Sequence, residues 1–97
     1  MGPGQPVKAV RVRIEGRVQG VWYRAWTMEE ARARGLRGWV RNRRDGSVEA
    51  LFIGPAGNLG DMVRACRDGP PSAAVARILE EPAEDDGSPG FRQLPSA

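Results

Sequence analysis

The sequence predicts an α+β fold in which two helices cover one face of an antiparallel sheet of four to five strands. Two patterns support this prediction. Segments that alternate like half-buried strands and segments with the periodicity of amphipathic helices follow one another in the order β-α-β-β-α-β. Size is the third observation, since 97 residues, 40% of them hydrophobic and 28% charged, suit one small globular unit with a modest core.

The strands are recognised by their alternation and by the turns between them. In the first strand Val10, Val12 and Ile14 share one face, and charged residues occupy the other. The pair Asp45–Gly46 favours a tight hairpin turn between the second and third strands. The predicted strands are residues 9–15, 36–43, 47–53 and 75–81, with a possible short last strand at 91–94.

The first helix is predicted over residues 22–34, where Tyr23, Thr27, Ala31 and Arg34 fall on one stripe. Gly35 follows it, as expected for a residue that ends a helix in the left-handed conformation.

The second helix is predicted to begin near Asn58. Asn58 is a suitable N-cap, and Asp61 three residues later suits a capping box. Its buried stripe is predicted to be Leu59, Met62, Val63 and Cys66.

This order of elements is the split βαβ, or ferredoxin-like, pattern. With both helices on one face, the other face of the sheet is expected to be open. Arg11 and Arg13 of the first strand and Glu49 of the third are predicted to be neighbours there. Residues 1–6 are interpreted as a flexible tail and residues 7–97 as a single domain.

Composition excludes several kinds of chemistry. The chain has no histidine, which removes Ser-His and Cys-His pairs and histidine metal sites, and its one cysteine, Cys66, cannot form an internal disulfide. The acidic residues at 80–86 imply no fixed metal geometry, so no metal or cofactor is expected. The formal net charge of +3 favours anionic partners. Since no long apolar stretch or signal-like segment is present, a cytoplasmic protein without membrane contact is expected.

The segment Gly16–Arg24 is a candidate anion site because it joins a strand to the start of a helix. Gly16 and Gly20 allow a tight turn that aims successive N–H groups at one point, and a helix N-terminus adds partial positive charge. Arg24, in the first turn of the helix, is placed to bind two phosphate oxygens. The spacing alone favours a plain glycine-bearing connection that carries an exposed arginine.

Two long motifs resemble the signatures of the acylphosphatase family: Ile14–Arg24, and Gly38–Val48 continuing to Gly54. The resemblance covers roughly residues 8–94 and implies a ferredoxin-like fold. It implies that an acyl phosphate is hydrolysed to a carboxylate and inorganic phosphate by water that Asn42 orients. Phosphate would be bound by Arg24 and by the backbone N–H groups of Gln19, Gly20, Val21, Trp22, Tyr23 and Arg24. The partners implied are these small molecules alone, with no nucleic acid, and a monomer is expected.

The sequence departs from the family pattern at two of these positions. Tyr23 stands where phenylalanine or methionine is expected, so its hydroxyl needs a partner or water. Arg43 follows Asn42 where a small hydroxyl residue is frequent. Two other functions remain open: a nucleic-acid-binding module of the same fold, and an anion sensor that keeps the phosphate loop without activity. Cys66, on an apolar stripe, is interpreted as a core residue and not as a nucleophile.

Overall fold

A computed structural model describes residues 6–97. Of the tail expected over residues 1–6, all but Pro6 lies outside the described residues. The elements follow the predicted order. They are β1 (Val7–Arg17), α1 (Tyr23–Ala33), β2 (Arg37–Asn42), β3 (Val48–Pro55), α2 (Ala56–Asp68), β4 (Ala74–Ala83) and β5 (Phe91–Gln93).

The strands form one five-stranded sheet of order β4-β1-β3-β2-β5. The first four strands pair antiparallel, which confirms the ferredoxin-like prediction for them. β5 pairs parallel with β2, with Phe91 opposite Gly38, so the prediction of a wholly antiparallel sheet was wrong for this strand. The loop after β4 explains this direction. It enters β5 at the same end of the sheet at which β4 stops, so β5 runs opposite to β4 and parallel to β2.

Both helices pack on the face that the alternation of β1 assigned to the core. Val12 and Ile14 are buried there, and so are the predicted stripes of both helices except Arg34, which follows the last residue of α1 and is only partly buried. The apolar periods of β1 and of both helices thus gave their inward faces correctly.

The start of α2 differs from the prediction. The helix begins at Ala56 after an extended Pro55, and Asn58 lies inside its first turn. Asn58 therefore does not cap the helix. Its Nδ2 donates to the backbone oxygen of Arg34 at 2.9 Å and ties the end of α1 to the start of α2.

The second face of the sheet is open over only part of its length. In the loop between β4 and β5, Asp85 pairs with Arg37, and Asp86 accepts a hydrogen bond from the Nε1 of Trp39 at 3.2 Å. Ile53, which lies opposite Arg37 in the sheet, is fully buried. The loop therefore crosses part of the face that the helices leave uncovered, although Asp85 and Asp86 themselves stay exposed to solvent.

The predicted charge pairing is confirmed on the remaining part of this face. Arg13 lies opposite Glu49 in the register of β1 and β3, and the Nε of Arg11 is 3.9 Å from a Glu49 carboxylate oxygen. Glu49 is only 5% exposed, and Arg41 and Arg43 donate to it at 2.8 and 3.0 Å. Arg43 is thus an ion-pair partner of Glu49.

Candidate active site

The connection from β1 to α1 carries two residues with left-handed backbone conformation. Gly20 has φ 73° and Trp22 has φ 65°, whereas Val21 between them is not left-handed. Alternation of this kind turns successive N–H groups towards the same side of the chain, which produces a concave anion-binding nest. The two left-handed residues are therefore compatible with an anion-binding nest in this loop.

The first glycine of the motif has a different position from the one expected. Gly16 lies inside β1, at a bulge where the register to β4 shifts, and has φ 128°. A Cβ at this position would lie 2.3 Å from the backbone oxygen of Ala74. Gly16 therefore permits close strand pairing, and the turn of the loop is made by Gly20 together with Trp22.

The amides of the loop lack hydrogen-bond partners in the part of the chain that the structure describes. Within residues 6–97 the backbone N–H groups from Gln19 to Arg24 donate no hydrogen bond, and the first bonded amide of the helix is that of Trp26, to the oxygen of Trp22 at 3.0 Å. The helix start has neither a side-chain cap nor an acidic residue in its first turn. The free donors and the positive end of the helix dipole are therefore available to an anion.

The side chain of Gln19 holds the loop against the β2–β3 hairpin. Its Nε2 donates to the backbone oxygens of Arg43 at 2.7 Å and of Ser47 at 2.8 Å. The turn itself is held by Asp45, whose Oδ1 accepts from the N–H and the hydroxyl of Ser47. Through Gln19 the loop is joined to Arg43, the residue that follows Asn42 at the end of β2.

Asn42 is the last residue of β2, and its side chain contains a buried acceptor without a partner. No group within residues 6–97 donates to its Oδ1. The backbone oxygen of Asn42 does have a partner, because it accepts a hydrogen bond from the N–H of Ala97 at 3.0 Å. A buried acceptor without a hydrogen bond costs about 1–3 kcal/mol, so this oxygen favours a water or ligand donor.

Arg24 is a free cation in the first turn of α1. Within residues 6–97 its guanidinium makes neither a hydrogen bond nor an ion pair. By contrast, Arg41 and Arg43 are occupied by Glu49. A guanidinium with all its donors unused is suited to bidentate binding of phosphate oxygens.

One cleft of about 340 Å³ brings most of these groups together. Its walls are formed by Val18, Gly20, Trp22, Tyr23, Arg24, Ala25, Asn42 and Gln93. Five of the seven residues expected at the site line it, whereas Gln19 and Val21 do not. Sequence reasoning missed the other three. Val18 and Ala25 are next to predicted site residues along the chain, but Gln93 reaches the cleft only through the parallel pairing of β5 with β2, for which the sequence holds no signal.

Tyr23, which lines the cleft, is hydrogen-bonded to the backbone of Cys66. The hydroxyl of Tyr23 donates to the backbone oxygen of Cys66 at 2.6 Å, and the ring is almost fully buried. This bond supplies the partner that the hydroxyl needed. Burial raises the pKa of the Tyr23 phenol and raises the pKa of the Cys66 thiol to about 12, so at neutral pH both remain protonated. Cys66 is a core residue, as expected, and not a nucleophile.

The arrangement as a whole can hold a tetrahedral anion between amides and a guanidinium and can orient a water molecule beside it. Within residues 6–97 no three His, Cys, Asp or Glu side chains are grouped as metal ligands. In the same range no helix has the length and apolar character needed to cross a bilayer.

Comparison with known proteins places these features in a family. The family model described as Acylphosphatase matches residues 10–93. The chain is 56% identical to the acylphosphatase of Rhodospirillum rubrum over 93% of this chain and 99% of that protein. Among solved structures it resembles the acylphosphatase of Bacillus subtilis, with TM-score 0.87 and 38% identity over 90% of this chain and 98% of that one. The acylphosphatase of Coxiella burnetii gives the same TM-score at 30% identity, over 91% and 93% of the two chains.

Proposed function

Because the chain belongs to the acylphosphatase family and hydrolyses acyl phosphates to a carboxylate and inorganic phosphate, we propose that Arg24 and the Gln19–Arg24 amides hold the substrate phosphate while Asn42 orients the attacking water. One observation carries this proposal. As far as residues 6–97 show, the loop amides, the Arg24 guanidinium and the buried Oδ1 of Asn42 have no partner, and most of these groups line one cleft.

The proposed reaction is a displacement at phosphorus. The Oδ1 of Asn42 accepts a hydrogen bond from water and fixes its oxygen in line with the bond to be broken. A new P–O bond forms to water, and the bond between phosphorus and the carboxylate oxygen breaks. The water proton passes to phosphate or solvent. Arg24 and the loop amides stabilise the charge on the phosphoryl oxygens, which are the groups that bear it in the transition state.

This site contains no general acid, and the reaction needs none. A carboxylate leaving group has a conjugate acid with a pKa of about 4, so it departs without protonation at neutral pH. A phosphate monoester, which releases a far more basic alkoxide, would be a poor substrate for the same site. The substrate class therefore agrees with the side chains that the cleft provides.

The direct test is hydrolysis of benzoyl phosphate by the purified chain in the presence of a metal chelator. Turnover with release of benzoate and inorganic phosphate in equal amounts is expected. A chain that binds phosphate but shows no turnover would be an anion sensor, which contradicts the proposal. Hydrolysis of p-nitrophenyl phosphate under the same conditions should be far slower, because its leaving group is more basic.

We further propose that residues 7–97 act as one domain, as a monomer in the cytoplasm, with no nucleic acid partner. The free and buried Cys66 is compatible with a reducing compartment. Sedimentation of the purified protein, a single unfolding transition and a filter-binding titration with single-stranded RNA test these statements.

A further inference from the structure

Packing does not explain the side chain of Trp22. It is 81% exposed, whereas the neighbouring Tyr23 is 1% exposed. Within residues 6–97 its Nε1 donates no hydrogen bond. An indole in this position contributes almost nothing to the core and leaves a large apolar surface in water.

The backbone at this position favours a different residue. Trp22 has φ 65°, a left-handed conformation that glycine adopts freely and that costs other residues energy. It is the one non-glycine residue with positive φ within residues 6–97. Strain of this kind persists where a functional demand opposes it, which directs attention to the side chain.

The position of Trp22 in the cleft suggests what the side chain does. The cleft that contains Arg24 and Asn42 is also lined by Trp22, Val18 and Ala25. It therefore combines a polar part suited to phosphate with apolar surface beside it. In an acyl phosphate a single bridging oxygen separates the phosphorus from the acyl carbon, so the acyl group of a bound substrate must lie next to the phosphate loop, within reach of its apolar rim.

We infer that Trp22 is a specificity-determining residue whose indole stacks on the acyl group, so that the preferred substrates are acyl phosphates with a flat aromatic acyl group. This inference rests on the proposed function, because it needs the phosphate in the loop to place the acyl group. Stacked aromatic pairs add binding free energy beyond the apolar area they bury. The contact is made to the ring and not to the atoms of the breaking P–O bond, and it is made equally in the ground and transition states, so it lowers KM and leaves kcat little affected.

The test compares benzoyl phosphate with acetyl phosphate, which presents the same reacting group with no ring. The benzoyl-to-acetyl ratio of kcat/KM is measured for the wild type, Trp22→Gly and Trp22→Phe. Glycine suits the left-handed conformation, so loss of the ring is not confounded with strain. Trp39→Phe is the matched control, because Trp39 makes its contacts with Asp86 and Arg41 and does not line the cleft.

In Trp22→Gly the ratio is expected to fall about tenfold, through a higher KM for benzoyl phosphate. Trp22→Phe should keep most of the preference, and Trp39→Phe should keep all of it. Any effect of the substitution on the phosphate loop itself falls on both substrates and cancels in the ratio. If both substrates are hydrolysed and the ratio in Trp22→Gly equals that of the wild type, the inference is overturned while the proposed function stands. If the wild type hydrolyses neither substrate, the proposed function fails instead.

Discussion

At the scale of single residues, the guanidinium of Arg24 is expected to contribute most to phosphate binding. Arg24→Ala removes the charged donor from an otherwise unchanged loop. We expect kcat/KM for benzoyl phosphate to fall by about 10²-fold or more, as on removal of an oxyanion donor. The inhibition constant for inorganic phosphate should rise as well, since the donor binds ground state and product alike.

Arg64→Ala is a suitable control for this variant. Arg64 lies on the exposed side of α2, where its only described partner is Asp61, and it does not line the cleft. Its loss should leave phosphate inhibition at the wild-type value. Near-normal turnover by Arg24→Ala would mean that the site is assigned to the wrong residues.

Substitution of Asn42 should lower kcat and leave phosphate affinity unchanged, whereas substitution of Arg24 should lower both kcat/KM and phosphate affinity. In Asn42→Ala the oxygen that orients water is absent, so kcat for benzoyl phosphate is expected to fall by about 10²-fold. Inhibition by inorganic phosphate should change little, because the loop amides and Arg24 remain. Steady-state kinetics with phosphate as inhibitor measure both quantities, and a large loss of phosphate affinity would contradict a role limited to water.

Arg24 and Asn42 could be predicted from the sequence because each belongs to a continuous motif that is recognised by its neighbouring residues. The left-handed backbone of Trp22 could not be predicted, because tryptophan has no preference for that conformation. Nor could the position of Gln93, which enters the cleft from a strand that lies far away in sequence. Two features of the site could therefore not be predicted from the sequence. They are the backbone conformation of Trp22, which opposes the preference of its residue type, and the contribution of Gln93, which depends on a contact between distant strands.

At the scale of elements, the close pairing of β2 with β3 depends on Gly38. Its φ is 131°, and a Cβ there would lie 1.9 Å from the backbone oxygen of Leu51. Gly38→Ala therefore forces two central strands apart, and we expect it to lower the free energy of unfolding by more than about 4 kcal/mol or to prevent folding. Urea denaturation followed by circular dichroism measures the change.

The same substitution at Gly60 is the control for this prediction. Gly60 lies in α2, and a Cβ there meets nothing within 4 Å. Gly60→Ala should raise the free energy of unfolding by about 0.5–1 kcal/mol, because alanine is the better helix former. If both glycines tolerated alanine equally, the tight approach at Gly38 would be disproved.

The elements themselves were predictable wherever a period and a turn signal coincide. Alternation gave the inward face of β1, and Asp45–Gly46 gave the hairpin between β2 and β3. The start of α2 was not predictable in this way, because Asn58 is a preferred N-cap residue and Pro55 is not, and the bond from Asn58 to α1 depends on the packing of the two helices. The direction of β5 depended likewise on the path of a loop and not on its own three residues.

At the scale of the whole molecule, the arginine excess is used in two ways. Several arginines neutralise carboxylates across the sheet, as Arg41 and Arg43 do at Glu49 and Arg37 does at Asp85. Arg24 makes no such pair within residues 6–97, and this leaves an unneutralised cation at the cleft. This cation adds local positive charge where the phosphate is proposed to bind.

The pairing at Glu49 also predicts how stability depends on pH. Burial tends to raise the pKa of Glu49, but hydrogen bonds from Arg41 and Arg43 outweigh it, and the net pKa is lowered from the ordinary value of 4.5. The hydrogen bond from the Ser47 hydroxyl likewise lowers the pKa of Asp45. A carboxyl group with a lowered folded-state pKa binds fewer protons in the folded than in the unfolded state. Its contribution is therefore complete above the unfolded pKa and is lost as pH falls through the folded one.

We expect the free energy of unfolding, measured with urea, to be nearly constant from about pH 7 to pH 5.5 and to fall steadily below about pH 4.5. Glu49→Gln removes the main buried carboxylate of this effect. At pH 7 it should lower the free energy of unfolding by about 2–3 kcal/mol, towards the low end for a broken buried ion pair because the arginines stay partly exposed. Between pH 5 and pH 3 the same variant should lose less stability than the wild type, since one titrating group is gone. Parallel curves for the two proteins over that interval would show that Glu49 is not the group whose protonation destabilises the fold.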